Sequence, residues 1–143
     1  MSKNKNVDGL ELESLDFLNI NVKIVNNGFN VKIANKDDKK DFIELKVNVN
    51  SVKFLRLIST LGHMEKFEKV GNTDNANYAT LTEKLVSYTL SIFGDDNIDR
   101  LTDIFEKQNE DLQVTHLIEI IGYSIYYLEK ENNLKDEEDL EKK

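Results

Sequence analysis

The chain has 143 residues, a length typical of one domain, and its 39% of hydrophobic residues is enough to form a buried core. Its formal net charge of -8 disfavours nucleic acid as a partner, because binding to phosphates requires Lys and Arg. The absence of cysteine excludes disulfides, thiolate metal sites and a cysteine nucleophile.

The amino-terminal residues predict neither secretion nor membrane insertion. Residues 1–6 are polar and lead directly into acidic residues, so the apolar stretch of a signal peptide is missing. No apolar run approaches the ~18 residues that would span a bilayer. We therefore expect a soluble protein of the cytoplasm with no membrane partner, and a chain without cysteine fits that compartment.

The first part of the chain alternates between apolar and polar residues, the pattern of strands with one buried face. The apolar positions are Leu18, Ile20, Val22, Ile24, Phe29, Val31 and Ile33. Asn27-Gly28 predicts a type I′ hairpin turn, because both residues tolerate positive φ. With these two residues as the loop, Ile24 would pair with Val31. A third alternating run, from Ile43 to Val49, predicts an antiparallel β-meander of about three strands within residues 17–50.

From about residue 51 to residue 131 the apolar spacing becomes helical and predicts about four helices. Their apolar stripes are, in order, Phe54, Leu57, Ile58, Leu61 and Met64; Leu81, Leu85, Tyr88 and Ile92; Ile98, Leu101 and Phe105; and Val114, Leu117, Ile118, Ile121, Ile125 and Leu128. Thr80 and Glu83 have the spacing of a capping box and predict the start of the second helix. Residues 133–143 are mostly charged and predict a disordered tail.

The predicted fold is therefore α+β, with a meander packed against a helical bundle in a single domain of residues 1–132. No motif for a nucleotide, a cofactor or a nucleophile is present, and neither His63 nor His116 has a partner at catalytic or metal-binding spacing. We accordingly expect no catalytic residue, no cofactor and no metal, and a protein that is not an enzyme. The acids from Asp95 to Glu106 fit the spacing of a calcium loop, but Arg100 replaces its central glycine.

Six segments follow one another within residues 42–131. They are Phe42-Ile43-Glu44-Leu45, the helix end Met64-Glu65-Lys66-Phe67-Glu68-Lys69-Val70, residues 85–91, Ile92-Phe93-Gly94-Asp95-Asp96, residues 101–105 and the final helix. In this order they resemble the tail assembly chaperones of phages and prophages from low-GC Gram-positive bacteria. The resemblance implies a non-enzymatic role in the host cytoplasm, where the protein shields the tape measure protein and helps recruit the tail tube protein.

Such a role needs an apolar surface for amphipathic client helices. The sequence places this surface on the last helix, at Ile118, Ile121, Tyr123, Ile125, Tyr127 and Leu128. The alternative for the tyrosines is that they close the edge of the core. Two other functions stay open: a structural tail component retained in the virion, and a small acidic cation-binding regulatory protein. Self-association into a homo-oligomer also stays open.

Overall fold

The computed structural model describes the backbone of residues 15–141 and the side chains of residues 15–132. This part contains three strands followed by four helices, which confirms the predicted α+β class. The strands are β1 (Leu18–Val25), β2 (Gly28–Asn35) and β3 (Asp38–Asn48), and the helices are α1 (Val52–Lys69), α2 (Ala76–Phe93), α3 (Asp95–Lys107) and α4 (Val114–Glu141).

The three strands form an antiparallel sheet in the order β1-β2-β3. Its apolar face carries Val22 on β1, Phe29, Val31 and Ile33 on β2, and Ile43, Leu45 and Val47 on β3, all of them buried. The opposite face carries Asn and charged side chains, with the Lys32 ammonium 4.3 Å from the centre of the Phe42 ring. The two-residue period of the sequence therefore identifies the buried face correctly.

The predicted hairpin register is wrong. Ile24 pairs with Phe29 and Val25 with Gly28, so Gly28 belongs to β2 and the turn is Asn26-Asn27. Of these two turn residues only Asn27 has a positive φ, of 64°, whereas a type I′ turn requires both. Gly28 is needed in the strand, because a Cβ there would collide with the Val47 carbonyl oxygen of β3. The shift moves each partner by two residues, so the buried face stays the same.

Two of the predicted helix features also differ in the structure. In α1, the sequence places Ile58 in the buried stripe, but it is 36% exposed and lies outside it. The helix is capped by Ser51, whose hydroxyl accepts a hydrogen bond from the Phe54 backbone N–H at 3.2 Å. The predicted capping box at Thr80 is wrong, because α2 already begins at Ala76. Asn75 is its cap, and its Oδ1 accepts hydrogen bonds from the N–H groups of the second and third helical residues at 2.8 and 3.1 Å.

The helices cover the apolar face of the sheet. α3 packs on β3 and β2, and α4 packs on α2 and on the sheet. The Phe105 ring of α3 lies 5.0 Å from Phe17 and 5.1 Å from His116, and Phe54 of α1 lies 5.9 Å from Phe29 (centroid distances). One cluster of buried side chains includes residues of all three strands and all four helices.

The last helix is longer than the sequence predicts. α4 continues to Glu141, past the predicted end near residue 131, so the backbone of residues 133–141 is helical where a disordered tail is predicted. Its Glu, Lys and Leu residues have high helix propensity, and neither Gly nor Pro interrupts them. Across residues 15–141, no helix combines the length and the apolar composition that crossing a membrane requires.

Candidate functional site

Helix α1 has exposed apolar side chains at both of its ends, on the side that points away from the core. Val52, Leu55 and Val70, at the end of the helix, are 62%, 53% and 75% exposed, whereas Phe54 and Leu57 are buried. Successive helical residues are rotated by about 100°, so the stripe that starts at Phe54 and the one that starts at Val52 lie on different sides. Exposed apolar side chains aligned on one face mark a surface that can contact a partner.

The neighbouring helix α2 packs against α1 and is hydrogen-bonded to it. The Tyr78 hydroxyl of α2 donates a hydrogen bond to Oε2 of Glu68 on α1 at 2.6 Å, and this bond raises the pKa of Tyr78. The Phe67 and Tyr78 rings meet edge to face with centroids 6.3 Å apart. Leu81, Lys84 and Tyr88 follow the i, i+3, i+7 spacing of one face of α2.

A groove runs along the two helices and consists of two cavities. The larger, of about 590 Å³, is lined by His63, Lys66, Phe67, Val70, Asn72, Asn77, Thr80, Leu81 and Lys84. The smaller, of about 370 Å³, is lined by Val52, Leu55, Arg56, Ser59, Thr60, His63, Leu81, Lys84 and Tyr88. Because His63, Leu81 and Lys84 line both, the cavities are adjacent, and we call the two together the α1–α2 groove.

The charged residues that line the groove have one sign. Arg56, Lys66 and Lys84 are exposed there together with His63, and no Asp or Glu is among the lining residues. The whole chain has the opposite balance, with 27 acidic residues against 19 Lys and Arg. The groove is therefore a basic strip on an acidic protein.

The predicted surface on α4 lies mostly against the core. Ile121 is 2% exposed and cannot contact a partner in this conformation, while Ile118, Tyr123, Ile125, Tyr127 and Leu128 are partly buried and pack against the core cluster. The Tyr123 and Tyr127 rings are 6.5 Å apart, and burial raises the pKa of Tyr123. These contacts give α4 an internal role, and the prediction that it also binds a partner stays a prediction.

Only Tyr127 of the predicted α4 residues lines a described cavity, which has a volume of about 440 Å³. The charged residues of this cavity are Lys23, Lys32, Glu44 and Glu131. Because both Lys and Glu line this cavity, it should select ligands by charge less strongly than the α1–α2 groove does.

The segment from Asp95 to Glu106, whose acids have the spacing of a calcium loop, is a helix. α3 begins at Asp95, so the acidic residues up to Glu106 are spaced over about 16 Å along one side of a helix and cannot wrap one ion. Among residues 15–132, no group of three or more His, Asp or Glu side chains is close enough to hold a metal ion. His116 accepts a hydrogen bond at Nδ1 from the Gln113 N–H at 3.0 Å and packs on Phe105, while His63 is exposed in the groove.

Sequence reasoning missed the groove. The available signal was Val52 and Leu55, which do not fit the buried stripe of α1, but only the packed pair of helices shows what lies beside them. Comparisons with protein families, with curated proteins and with solved structures find no match to this chain.

Proposed function

We propose that the chain binds a helical segment of another protein in the α1–α2 groove and catalyses no reaction. The observation that carries this proposal is the exposure of apolar side chains at both ends of α1, Val52 and Leu55 at one end and Val70 at the other, beside a groove that is lined by residues of both helices. Amphipathic helices bind proteins by laying their apolar face into such grooves.

The dimensions of the groove fit a helix. The α1 segment from Val52 to Val70 spans about 27 Å at ~1.5 Å per residue, which corresponds to about five turns of a bound helix. Leu55, Leu81 and Tyr88 supply apolar contacts at one end, and Phe67 supplies them at the other. Burial of these side chains would contribute roughly 25 cal/mol for each Å² of apolar surface removed from water.

The tail assembly chaperone family supplies the biological setting of the proposal. A tape measure protein is long and helical, and its amphipathic segments are exposed before the tail tube surrounds it. A groove for apolar helix faces would shield such segments and keep them in solution until the tail tube protein is recruited. The resemblance over residues 42–131 includes both helices of the groove.

The test is co-expression with the tape measure protein of the same phage or prophage. We expect a complex that survives size-exclusion chromatography with the wild-type chain and is lost with Leu55→Asp, which places a carboxylate in the groove. Ile58→Asp is the matched control, because Ile58 is exposed on the same helix but lines neither cavity of the groove. Circular dichroism checks that both variants fold.

Two results would contradict this proposal. If the complex forms equally with the wild-type chain and with Leu55→Asp, the groove does not hold the client. If the protein is a stoichiometric component of purified phage particles, it is a structural tail protein and not an assembly chaperone.

A further inference from the structure

The cations of the groove are available for binding. Two ion pairs lie elsewhere in the described part of the chain: Lys69 Nζ is 3.3 Å from Glu65 Oε1, and Lys107 Nζ is 3.0 Å from Asp41 Oδ2. Among the side chains that the structure describes, Arg56, Lys66 and Lys84 form no ion pair. The three side chains are exposed beside the apolar residues of the groove, where a ligand could neutralise their charge.

The cations also lie on both walls of the groove. Arg56 and Lys66 belong to α1, and Lys84 belongs to α2. Arg56 and Lys66 are about 15 Å apart along the helix axis at ~1.5 Å per residue, with His63 between them. A helix lying in the groove would therefore meet two cations over almost three turns on its α1 side and one cation, Lys84, on its α2 side.

We infer that the α1–α2 groove selects an acidic amphipathic helix, with apolar residues on the face that it buries and Asp or Glu on both flanks. This inference rests on the proposed function, because it names the chemistry of the segment that the groove binds. Charge complementarity across an interface steers encounter and excludes partners of the wrong sign. Because the chain has a net charge of -8, it attracts an acidic helix only where positive charge is concentrated locally, as it is in the groove.

The probes are three synthetic peptides of about 18 residues, a length that matches the ~27 Å groove. They share the same Leu positions on one helical face and carry Glu, Gln or Lys on the flanks. Binding to the full chain is measured by fluorescence anisotropy. We expect the Glu peptide to bind at least about tenfold more tightly than the Lys peptide, with the Gln peptide between them, and the difference to shrink as salt increases.

Charge reversal in the groove provides the matched comparison. The double variant Lys66→Glu/Lys84→Glu should bind the Lys peptide more tightly than the Glu peptide. Lys39→Glu/Lys40→Glu changes the net charge by the same amount on exposed residues of β3 that line none of the groove, and it should keep the wild-type order.

Several outcomes would overturn the inference. Equal binding of the Glu and Lys peptides, or no binding of any peptide while the client complex of the wild-type chain is intact, contradicts selection for acidic helices and leaves the proposed function in place. Self-association of the wild-type chain that Leu55→Asp abolishes, seen by analytical ultracentrifugation, would make a second copy the occupant. Unchanged peptide binding by Leu55→Asp would instead contradict the groove itself.

Discussion

At the scale of single residues, Gly28 is required by the backbone of the neighbouring strand. A side chain at this position would meet the Val47 carbonyl oxygen, and a paired strand cannot move away without losing hydrogen bonds. We predict that Gly28→Ala lowers the free energy of unfolding by about 2 kcal/mol or more, as expected for overpacking against a fixed neighbour. Urea denaturation followed by circular dichroism measures this change.

Gly62 is the matched control, because it lies in the interior of α1 and a Cβ there would have no neighbour within 4 Å. Ala has the higher helix propensity, so Gly62→Ala should raise the free energy of unfolding by about 0.5–1 kcal/mol. Similar effects of the two substitutions would show that the close approach of β3 to Gly28 does not occur in solution.

The Asp41–Lys107 pair joins β3 to α3 and gives the fold a dependence on pH. The hydrogen bond from the Lys107 ammonium lowers the pKa of the Asp41 carboxyl. A group with a lowered folded-state pKa stabilises the fold above its unfolded-state pKa of ~3.9, and this contribution is lost as pH falls through the folded-state value.

We predict that Lys107→Met returns the pKa of Asp41 towards its ordinary value, measured by NMR titration of the Asp41 carboxyl carbon. Lys69→Met is the control, because it removes the Glu65–Lys69 pair within α1 and leaves Asp41 untouched. An unchanged Asp41 pKa in Lys107→Met would show that the pair does not persist in solution.

At the scale of elements, the start of α2 depends on Asn75. We predict that Asn75→Ala lowers the free energy of unfolding by about 1 kcal/mol, because two backbone N–H groups lose their acceptor. Thr80→Ala should have a smaller effect, since Thr80 lies inside the helix and its hydroxyl bonds only to the Ala76 carbonyl. Urea denaturation of both variants decides which residue is the cap, and a larger loss for Thr80→Ala would favour the capping box.

The sequence predicts the types of the elements better than their ends. Alternation of apolar residues identifies all three described strands and their buried face, because burial on one side of a sheet imposes a period of two. The ends depend on tertiary and capping contacts. Gly28 has the character of a turn residue, but it lies in β2 against β3. Thr80 has the spacing of a cap, but Asn75, five residues earlier, is the cap in the structure.

The candidate site was less predictable than the fold. An apolar stripe such as that of α4 has the same pattern whether it contacts the core or a partner, so Ile121 could be assigned to either. The groove requires two helices to lie side by side, and their packing is a tertiary property. The cations Lys66 and Lys84 are near each other only in this arrangement.

At the scale of the whole molecule, one core includes residues of every described element, and the exposed face of α1 lies outside it. On this helix Leu57 lies in the core, whereas Leu55 lies on the exposed face. We predict that Leu57→Ala lowers the free energy of unfolding by about 2–5 kcal/mol, because it leaves a cavity in the core. Leu55→Ala should change it by about 0.5 kcal/mol or less.

Thermal and urea denaturation of the two variants measure this difference, with the wild-type chain as reference. Equal losses of stability would mean that Leu55 is part of the core, and the outer face of α1 would then be unable to contact a client.

The sharing of His63, Leu81 and Lys84 by both cavities has a consequence for stoichiometry. Two short ligands, one in each cavity, would both contact these three side chains, so the binding of one should change the affinity for the other. A single helical segment that contacts both cavities should bind each copy of the protein at a ratio of one to one.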